Sequence, residues 1–180
     1  MNILDYWPYP NWEPRENQIL ALEWLADQDA KYLLVEAPVG AGKSGIGVTY
    51  SHYLNQRDVR YRGDSFILTP QRILQKQYED SHRNEEQVQM ASLYGKGNYT
   101  CKSHNSSCEV GSVISRGKCP NCPHAKAKQF AKQAANTVLN YKLALTSFAY
   151  TTTFKPRKLM IMDECHTLEN HLIDFDAMTI

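Results

Sequence analysis

The sequence lacks any long apolar run. No stretch of its 180 residues approaches the roughly 18 apolar residues that a membrane-spanning helix needs. The N-terminal segment, Met1 to Trp7, has neither a basic region nor an apolar core, so a secretory signal is not expected. These absences predict a chain that works in the cytoplasm, or in the nucleus of a eukaryote, and not in a membrane or outside the cell.

The sequence also lacks internal repeats, low-complexity tracts and a strong net charge, since its formal charge is +1. Charge is concentrated locally instead. Between Gly95 and Ala135, Glu109 is the one acid, and the cations are Lys96, Lys102, Arg116, Lys118, Lys126, Lys128 and Lys132. A basic surface of this kind suits a polyanion such as nucleic acid. A solvated helix face with linker lysines is the alternative.

The most informative motif is Glu-Ala-Pro-Val-Gly-Ala-Gly-Lys-Ser, from Glu36 to Ser44. It follows an apolar run, which predicts a buried strand over 32–36, and it precedes a helix predicted at 45–54. Strand, glycine loop and helix together form the setting of a phosphate-binding P-loop, in which backbone N–H groups close around a polyphosphate. The predicted nucleotide-binding residues of this loop are Pro38, Val39, Gly40, Ala41, Gly42, Lys43 and Ser44.

Two side chains of this loop have individual predicted roles. Lys43 is expected to reach the β- and γ-phosphates of ATP, and the Ser44 hydroxyl is expected to hold Mg²⁺. The full pattern has glycine where this chain has Ala37. A glycine-rich turn without a ligand is the alternative interpretation.

An acidic motif, Asp163-Glu164-Cys165-His166, follows a strand predicted at 158–162. In P-loop proteins an acid in this position completes the Mg²⁺ shell, and a second acid polarises the attacking water. We therefore assign Asp163 to magnesium and Glu164 to the water, so that the predicted catalytic residues are these two and Lys43. A strand-end acidic turn is the alternative.

Strands and helices alternate along most of the chain. Helices are predicted at 13–26, 71–82 and 124–135, and further strands at 65–69, 88–92 and 137–139. This alternation predicts an α/β fold with a parallel sheet and right-handed crossovers.

Residues 94–123 interrupt the alternation and contain four of the five cysteines. Few large apolar residues are present there, and a structureless loop of this length is uncommon within a compact domain. Four thiolates can hold a tetrahedral Zn²⁺ or an iron–sulfur cluster, and the spacing alone does not choose between them. A disulfide or a metal-free set is the remaining alternative. The candidate ligands are Cys101, Cys108, Cys119 and Cys122, with His104 and His124 as substitute zinc ligands.

Taken together, the motifs resemble those of the iron–sulfur DNA helicases of superfamily 2, the XPD/DinG-like group. The pieces occur in the family's order: an adenine-sensing pair, motif I, motif Ia, the lead-in to the first cluster cysteine, an Asn-Tyr-x-x-Leu segment and a DEAH-type motif II. In this chain they are Arg15 with Gln18, residues 36–44, 68–71, 94–101, 140–145 and 163–166.

The resemblance implies a RecA-like P-loop domain interrupted by a small cysteine-rich metal-binding insert. The implied boundaries are 1–93 for the first part of the lobe, 94–125 for the insert and 126–180 for the remainder. The implied cofactors are ATP, Mg²⁺ and a 4Fe–4S cluster on the four cysteines, with Zn²⁺ as the alternative. Residues that contact nucleic acid would be Thr69, Pro70 and Gln71.

The resemblance further implies an ATP-dependent DNA helicase that moves 5′→3′ on single-stranded or forked DNA. Its family has a second RecA-like lobe and an arch domain, which this sequence does not contain, so that lobe is an expected partner. Alone, the chain is expected to hydrolyse ATP slowly or not at all, because an arginine finger contributes roughly 10³–10⁵ in rate. Two alternatives are a zinc-stabilised nucleic-acid binding module with little ATPase activity and a P-loop ATPase that remodels a protein. Tyr94, Tyr99 and Phe130 are candidates for stacking on bases, or for packing.

Overall fold

The computed structural model of the chain describes residues 2–57, 59, 65–82, 89–117 and 119–177. The helices are α1 (Glu16–Ala26), α2 (Lys43–Arg57), α3 (Arg72–His82), α4 (Cys108–Ile114), α5 (Pro123–Gln133), α6 (Tyr141–Tyr150) and α7 (Leu168–Ala177). The strands are β1 (Ser65–Thr69), β2 (Met90–Ser92), β3 (Thr100–Cys101), β4 (Ser106–Ser107), β5 (Asn136–Asn140) and β6 (Leu159–Met162). Short 3-10 helices lie at Ile3–Tyr6, Lys96–Asn98 and Cys165–Thr167.

The main sheet has four parallel strands in the order β2-β5-β1-β6. Ser65 at the start of β1 is in register with Asn136 on one side and Leu159 on the other. All of β1 is buried, whereas β6 at the sheet edge is only half-buried. The predicted α/β fold class with a parallel, RecA-like sheet is therefore confirmed.

Helices cover both faces of this sheet. Because successive strand residues point to opposite faces, Phe66 and Leu68 pack with Tyr141 of α6 in one buried cluster. Ile67, between them, packs on the other face with Tyr78 of α3. A further cluster joins the N-terminal segment to α1 and α2. The result is a three-layer α/β/α arrangement whose strand ends converge at one edge.

The buried strand predicted at 32–36 is wrong. These residues belong to none of the described strands, and Tyr32 and Leu34 are 80% and 74% exposed. Leu33 and Val35 alone pack against the N-terminal cluster. The continuous apolar run predicts burial on both faces, but only one face of this segment is covered by the described residues.

For the other predicted helices and strands that can be compared, the predicted ends differ from the observed ends by at most three residues. Helix 13–26 begins later, at Glu16, because Arg15 keeps extended backbone and the Gln18 side chain accepts the Arg15 N–H. In the strand predicted at 88–92, Val88 lies outside the described residues, and β2 begins at Met90. Helices α6 and α7 were not predicted.

The cysteine-rich segment has its own small elements. Strands β3 and β4 form an antiparallel pair, and α4 follows directly. No helix in the described part of the chain has the length and apolarity that a bilayer crossing requires.

Candidate active site

The acidic motif lies at the edge where the parallel strands end. The Asp163 N–H donates to the Leu68 carbonyl at 2.9 Å. The Tyr141 hydroxyl, on the first residue of α6, donates to the Asp163 carbonyl at 2.8 Å. These bonds attach the motif to the ends of β1 and β5, where open parallel sheets bind ligands.

The glycine loop depends on two left-handed residues. Gly40 and Gly42 have φ of 81° and 78°, a conformation that glycine adopts without steric cost. A Cβ on Gly42 would also collide with the Gln18 amide. The loop therefore requires glycine at Gly42 for both backbone and space, and α2 begins at the next residue.

Lys43 is turned toward the acidic motif. Its Nζ lies 3.5 Å from Glu164 Oε1 and donates to the Ala37 carbonyl at 3.1 Å. Glu164 has a left-handed φ of 53°, which costs about 1–2 kcal/mol for a residue with a Cβ. Its other oxygen lies 3.4 Å from His166 Nδ1. The structure thus brings together the lysine and the acid to which the sequence assigned complementary roles.

Asp163 and Ser44 meet at the hydroxyl of a residue that the sequence reasoning missed. The Tyr78 hydroxyl donates to Asp163 Oδ2 at 3.0 Å, and the Ser44 side chain hydrogen-bonds to the same phenol. Burial raises the pKa of Asp163, the Tyr78 hydrogen bond opposes that rise, and the Glu164 charge adds to it. Gln75 and Tyr78 carry polar groups three positions apart, and both are buried on the sheet side of α3. This helical spacing of polar side chains was the signal in the sequence that could have identified Tyr78.

A cavity of about 260 Å³ separates the start of α1 from the glycine loop. Gln18 and Arg15 both line it, and both hold the loop: Gln18 Nε2 donates to the Gly42 carbonyl at 3.3 Å, and Arg15 Nη1 donates to the Gly40 carbonyl at 3.1 Å. Because Gln18 Oε1 accepts the Arg15 N–H, the amide retains one N–H and one lone pair for a ligand. Asn17 also lines the cavity and was not predicted.

The segment predicted to contact nucleic acid is only partly accessible. Thr69 is fully buried, and its hydroxyl donates to the Gln71 carbonyl at 3.1 Å. Pro70 is half-buried and Gln71 is exposed. In this conformation the Thr69 side chain shapes a turn, and the side chain that remains available to a ligand is that of Gln71.

The four candidate cysteines form two hydrogen-bonded pairs. Cys101 and Cys119 have their sulfurs 3.4 Å apart, and Cys108 hydrogen-bonds with Cys122. Burial acts to raise the pKa of Cys101, but hydrogen bonds from Cys119 and from two backbone N–H groups outweigh it and lower that pKa. Among the described residues, no group of three or more His, Cys, Asp or Glu side chains is arranged to hold a metal ion.

The flanking histidines have other partners. His104 Nε2 lies 2.7 Å from the Ser115 hydroxyl, and the His124 ring packs edge-on against Tyr99. The backbone of His124 hydrogen-bonds to the Cys108 sulfur. In this structure neither imidazole substitutes for a cysteine, and Cys165 is exposed in the acidic motif.

A parallel α/β sheet with a glycine loop, a lysine and an acid pair at its carboxyl edge defines a domain of the RecA-like P-loop class. Residues 11–176 match the family described as type III restriction enzyme, res subunit (ResIII). The match spans well over half of the sequence, and the chain belongs to this family, an ATP-binding domain of the superfamily 2 helicase type. No curated protein matches the chain.

Proposed function

We propose that the chain is the ATP-binding lobe and cysteine module of an XPD/DinG-like DNA helicase, which couples ATP hydrolysis to 5′→3′ movement on single-stranded or forked DNA. A second RecA-like lobe is its proposed partner. The observation that carries this proposal is the meeting of Lys43 and Glu164 at 3.5 Å across the carboxyl edge of the sheet. The two motifs are far apart in sequence, and the fold places a cation of one beside a carboxylate of the other at that edge.

In this proposal each residue acts on one part of the nucleotide. Lys43 holds the β- and γ-phosphates, and Glu164, released from Lys43, orients the attacking water. Ser44 and Asp163 hold Mg²⁺, which neutralises phosphate charge when it is bound. The adenine enters the cavity beside Gln18, with Arg15 on its rim. Of the loop residues, Val39, Gly40, Ala41 and Gly42 supply backbone N–H groups, and Pro38, which has no N–H, borders the cavity.

The cysteine module is proposed to hold a metal centre on Cys101, Cys108, Cys119 and Cys122. What supports this proposal is the chemistry of the residues: the four thiols lie in two hydrogen-bonded pairs, and backbone N–H groups hydrogen-bond to sulfur, as they do around iron–sulfur thiolates. The resemblance favours a 4Fe–4S cluster. Such a centre would crosslink a segment that buries few large apolar side chains.

The proposed nucleic-acid surface is the basic face beside this module. Lys128 lies near Lys132 and Lys96, and burial together with those two charges lowers its pKa. Exposed Gln71 immediately precedes α3. Phosphate contacts of this kind predict that affinity for a single-stranded oligonucleotide falls steeply with salt.

The decisive experiment for the nucleotide site is titration calorimetry of Mg·ATP with the wild type and Lys43→Ala. Removing a charged group that contacts phosphate costs about 2–5 kcal/mol, so affinity should fall at least about 30-fold. Lys142→Ala, an exposed lysine on α6, is the matched control. Equal affinity of Lys43→Ala and the wild type would refute the assigned role of the loop.

One distance favours a second candidate, the zinc-stabilised nucleic-acid binding module with little ATPase activity. Two sulfurs on one tetrahedral zinc, each about 2.3 Å from it, lie about 3.8 Å apart, close to the 3.4 Å between Cys101 and Cys119. Metal and acid-labile sulfide analysis of anaerobically purified protein separates the two. Iron with sulfide supports the helicase proposal, whereas stoichiometric zinc with DNA affinity independent of ATP supports the alternative.

A further inference from the structure

Tyr78 connects the two groups that are proposed to hold magnesium. Its hydroxyl donates to Asp163 Oδ2 at 3.0 Å, and the Ser44 side chain hydrogen-bonds to the same oxygen. The tyrosine is 4% exposed and packs among apolar side chains of the sheet, including Ile67 and Val138. Close packing around the ring restricts its movement, so the hydroxyl can fix the position of a partner.

Burial alone does not require a hydroxyl at this position. Phenylalanine would fill the same space, and a hydroxyl in an apolar cluster needs a partner to offset its desolvation. That partner is the carboxylate at the end of β6, which is reached from α3 on a different part of the chain. The hydroxyl therefore has a use that packing does not explain.

We propose that Tyr78 is a positioning residue of the magnesium site, which holds the Asp163 carboxylate and the Ser44 hydroxyl in one arrangement before the metal arrives. This inference rests on the proposed nucleotide function. Groups that orient metal ligands typically change metal affinity by 10–100-fold when they are removed. The tyrosine lies on the helix that directly follows the proposed DNA-contacting residues 69–71, so movement of that helix would reach the magnesium site through this hydroxyl.

The test is the MgCl₂ requirement for binding of a fluorescent ADP analogue by Tyr78→Phe. The variant keeps the ring and loses one oxygen. We expect the Mg²⁺ concentration for half-maximal enhancement of binding to rise about 10-fold, with binding in EDTA unchanged. A change confined to the metal-dependent part is one that a purely structural role would not produce.

Tyr94→Phe is the matched control. The Tyr94 hydroxyl also donates to a carboxylate, Glu79 Oε2 on α3, at 2.7 Å, but away from the nucleotide site. It should leave the Mg²⁺ requirement unchanged, and melting temperatures of both variants show whether the fold is retained.

The possible outcomes distinguish a failure of the Tyr78 positioning role from a failure of the proposed nucleotide function. If the wild type binds the analogue without any Mg²⁺ dependence, the proposed magnesium site itself is refuted. If the wild type depends on Mg²⁺ and Tyr78→Phe has the same requirement, the positioning role is refuted. If Tyr78→Phe weakens binding equally in EDTA and in MgCl₂, its role is structural and the inference is also refuted.

Discussion

The nucleotide site and the cysteine insert are held by different means. The first lies at the ends of buried parallel strands, where Asp163 is attached to Leu68 and Tyr141 by backbone and hydroxyl bonds. The second rests on two-residue strands, a short helix and paired thiols. Apolar burial should therefore stabilise the nucleotide site without any ligand, whereas the insert should depend on its sulfurs.

The largest expected effect is the separation of the two regions by one cysteine substitution. Cys119→Ser should release the metal that we propose for this segment and expose backbone amides in 94–123, because the sulfur paired with Cys101 is lost. The amides of β1 should stay protected from hydrogen exchange, and the affinity for nucleotide should be unchanged.

The control for this experiment is Cys165→Ser, which removes an exposed thiol outside the pairs. It should retain full metal content. Retained metal in Cys119→Ser would show that this sulfur is not a ligand.

The next effect belongs to the nucleotide site alone. Glu164→Gln should lower ATP turnover, measured in the presence of the second lobe, by about 10²–10⁴-fold, the usual contribution of a group that activates the attacking nucleophile. Binding of ATP should be retained, because Lys43 loses a competing partner. Glu169→Gln on α7 is the control, and turnover at the wild-type rate would remove the assignment of Glu164.

A smaller effect tests how tightly the insert is packed. A Cβ on Gly111 would lie 2.5 Å from Cys101 Sγ and 2.8 Å from its Cβ, so Gly111→Ala must displace the sulfur. Such overpacking costs about 1–3 kcal/mol, measured as loss of exchange protection within the insert. Gly95→Ala, whose nearest contact would be 3.7 Å away, should change little. Equal effects of the two variants would contradict this packing.

The smallest effect concerns the junction between the two regions. Helix α3 contacts the nucleotide site through Tyr78 and the insert through Glu79 and Arg72, which hydrogen-bond to Tyr94 and Asn98. Tyr94→Phe should cost about 1 kcal/mol of unfolding free energy in denaturant titration. A much larger loss would show that the two regions unfold as one unit.

The sequence predicts most of the sheet because each central strand contains consecutive apolar residues and has a helix beside it. Strand β1 was predicted with its observed bounds, and β5 and β6 within one residue at each end. The run at 32–36 is also apolar, but it pairs with no described strand. Composition reports that a segment is apolar, and the neighbours available in space decide whether both its faces become buried.

The site was predictable where a role is tied to a spacing, as for the glycine loop and the acidic pair. The Lys43–Glu164 approach spans 121 residues of sequence, and the motifs predicted both of its members. Tyr78 and Asn17 were missed because a tyrosine or asparagine in a helix usually has no ligand to bind. The buried state of Thr69 was missed because a motif does not show which way a turn residue faces.

The most direct test of the account is hydrogen exchange of the wild type with and without Mg·ATP. Added protection is expected in two segments, residues 36–44 and residues 163–166, because both border the same nucleotide. Protection in only one of them, or in neither at saturating Mg·ATP, would contradict the claim that the glycine loop and the acidic pair form a single site.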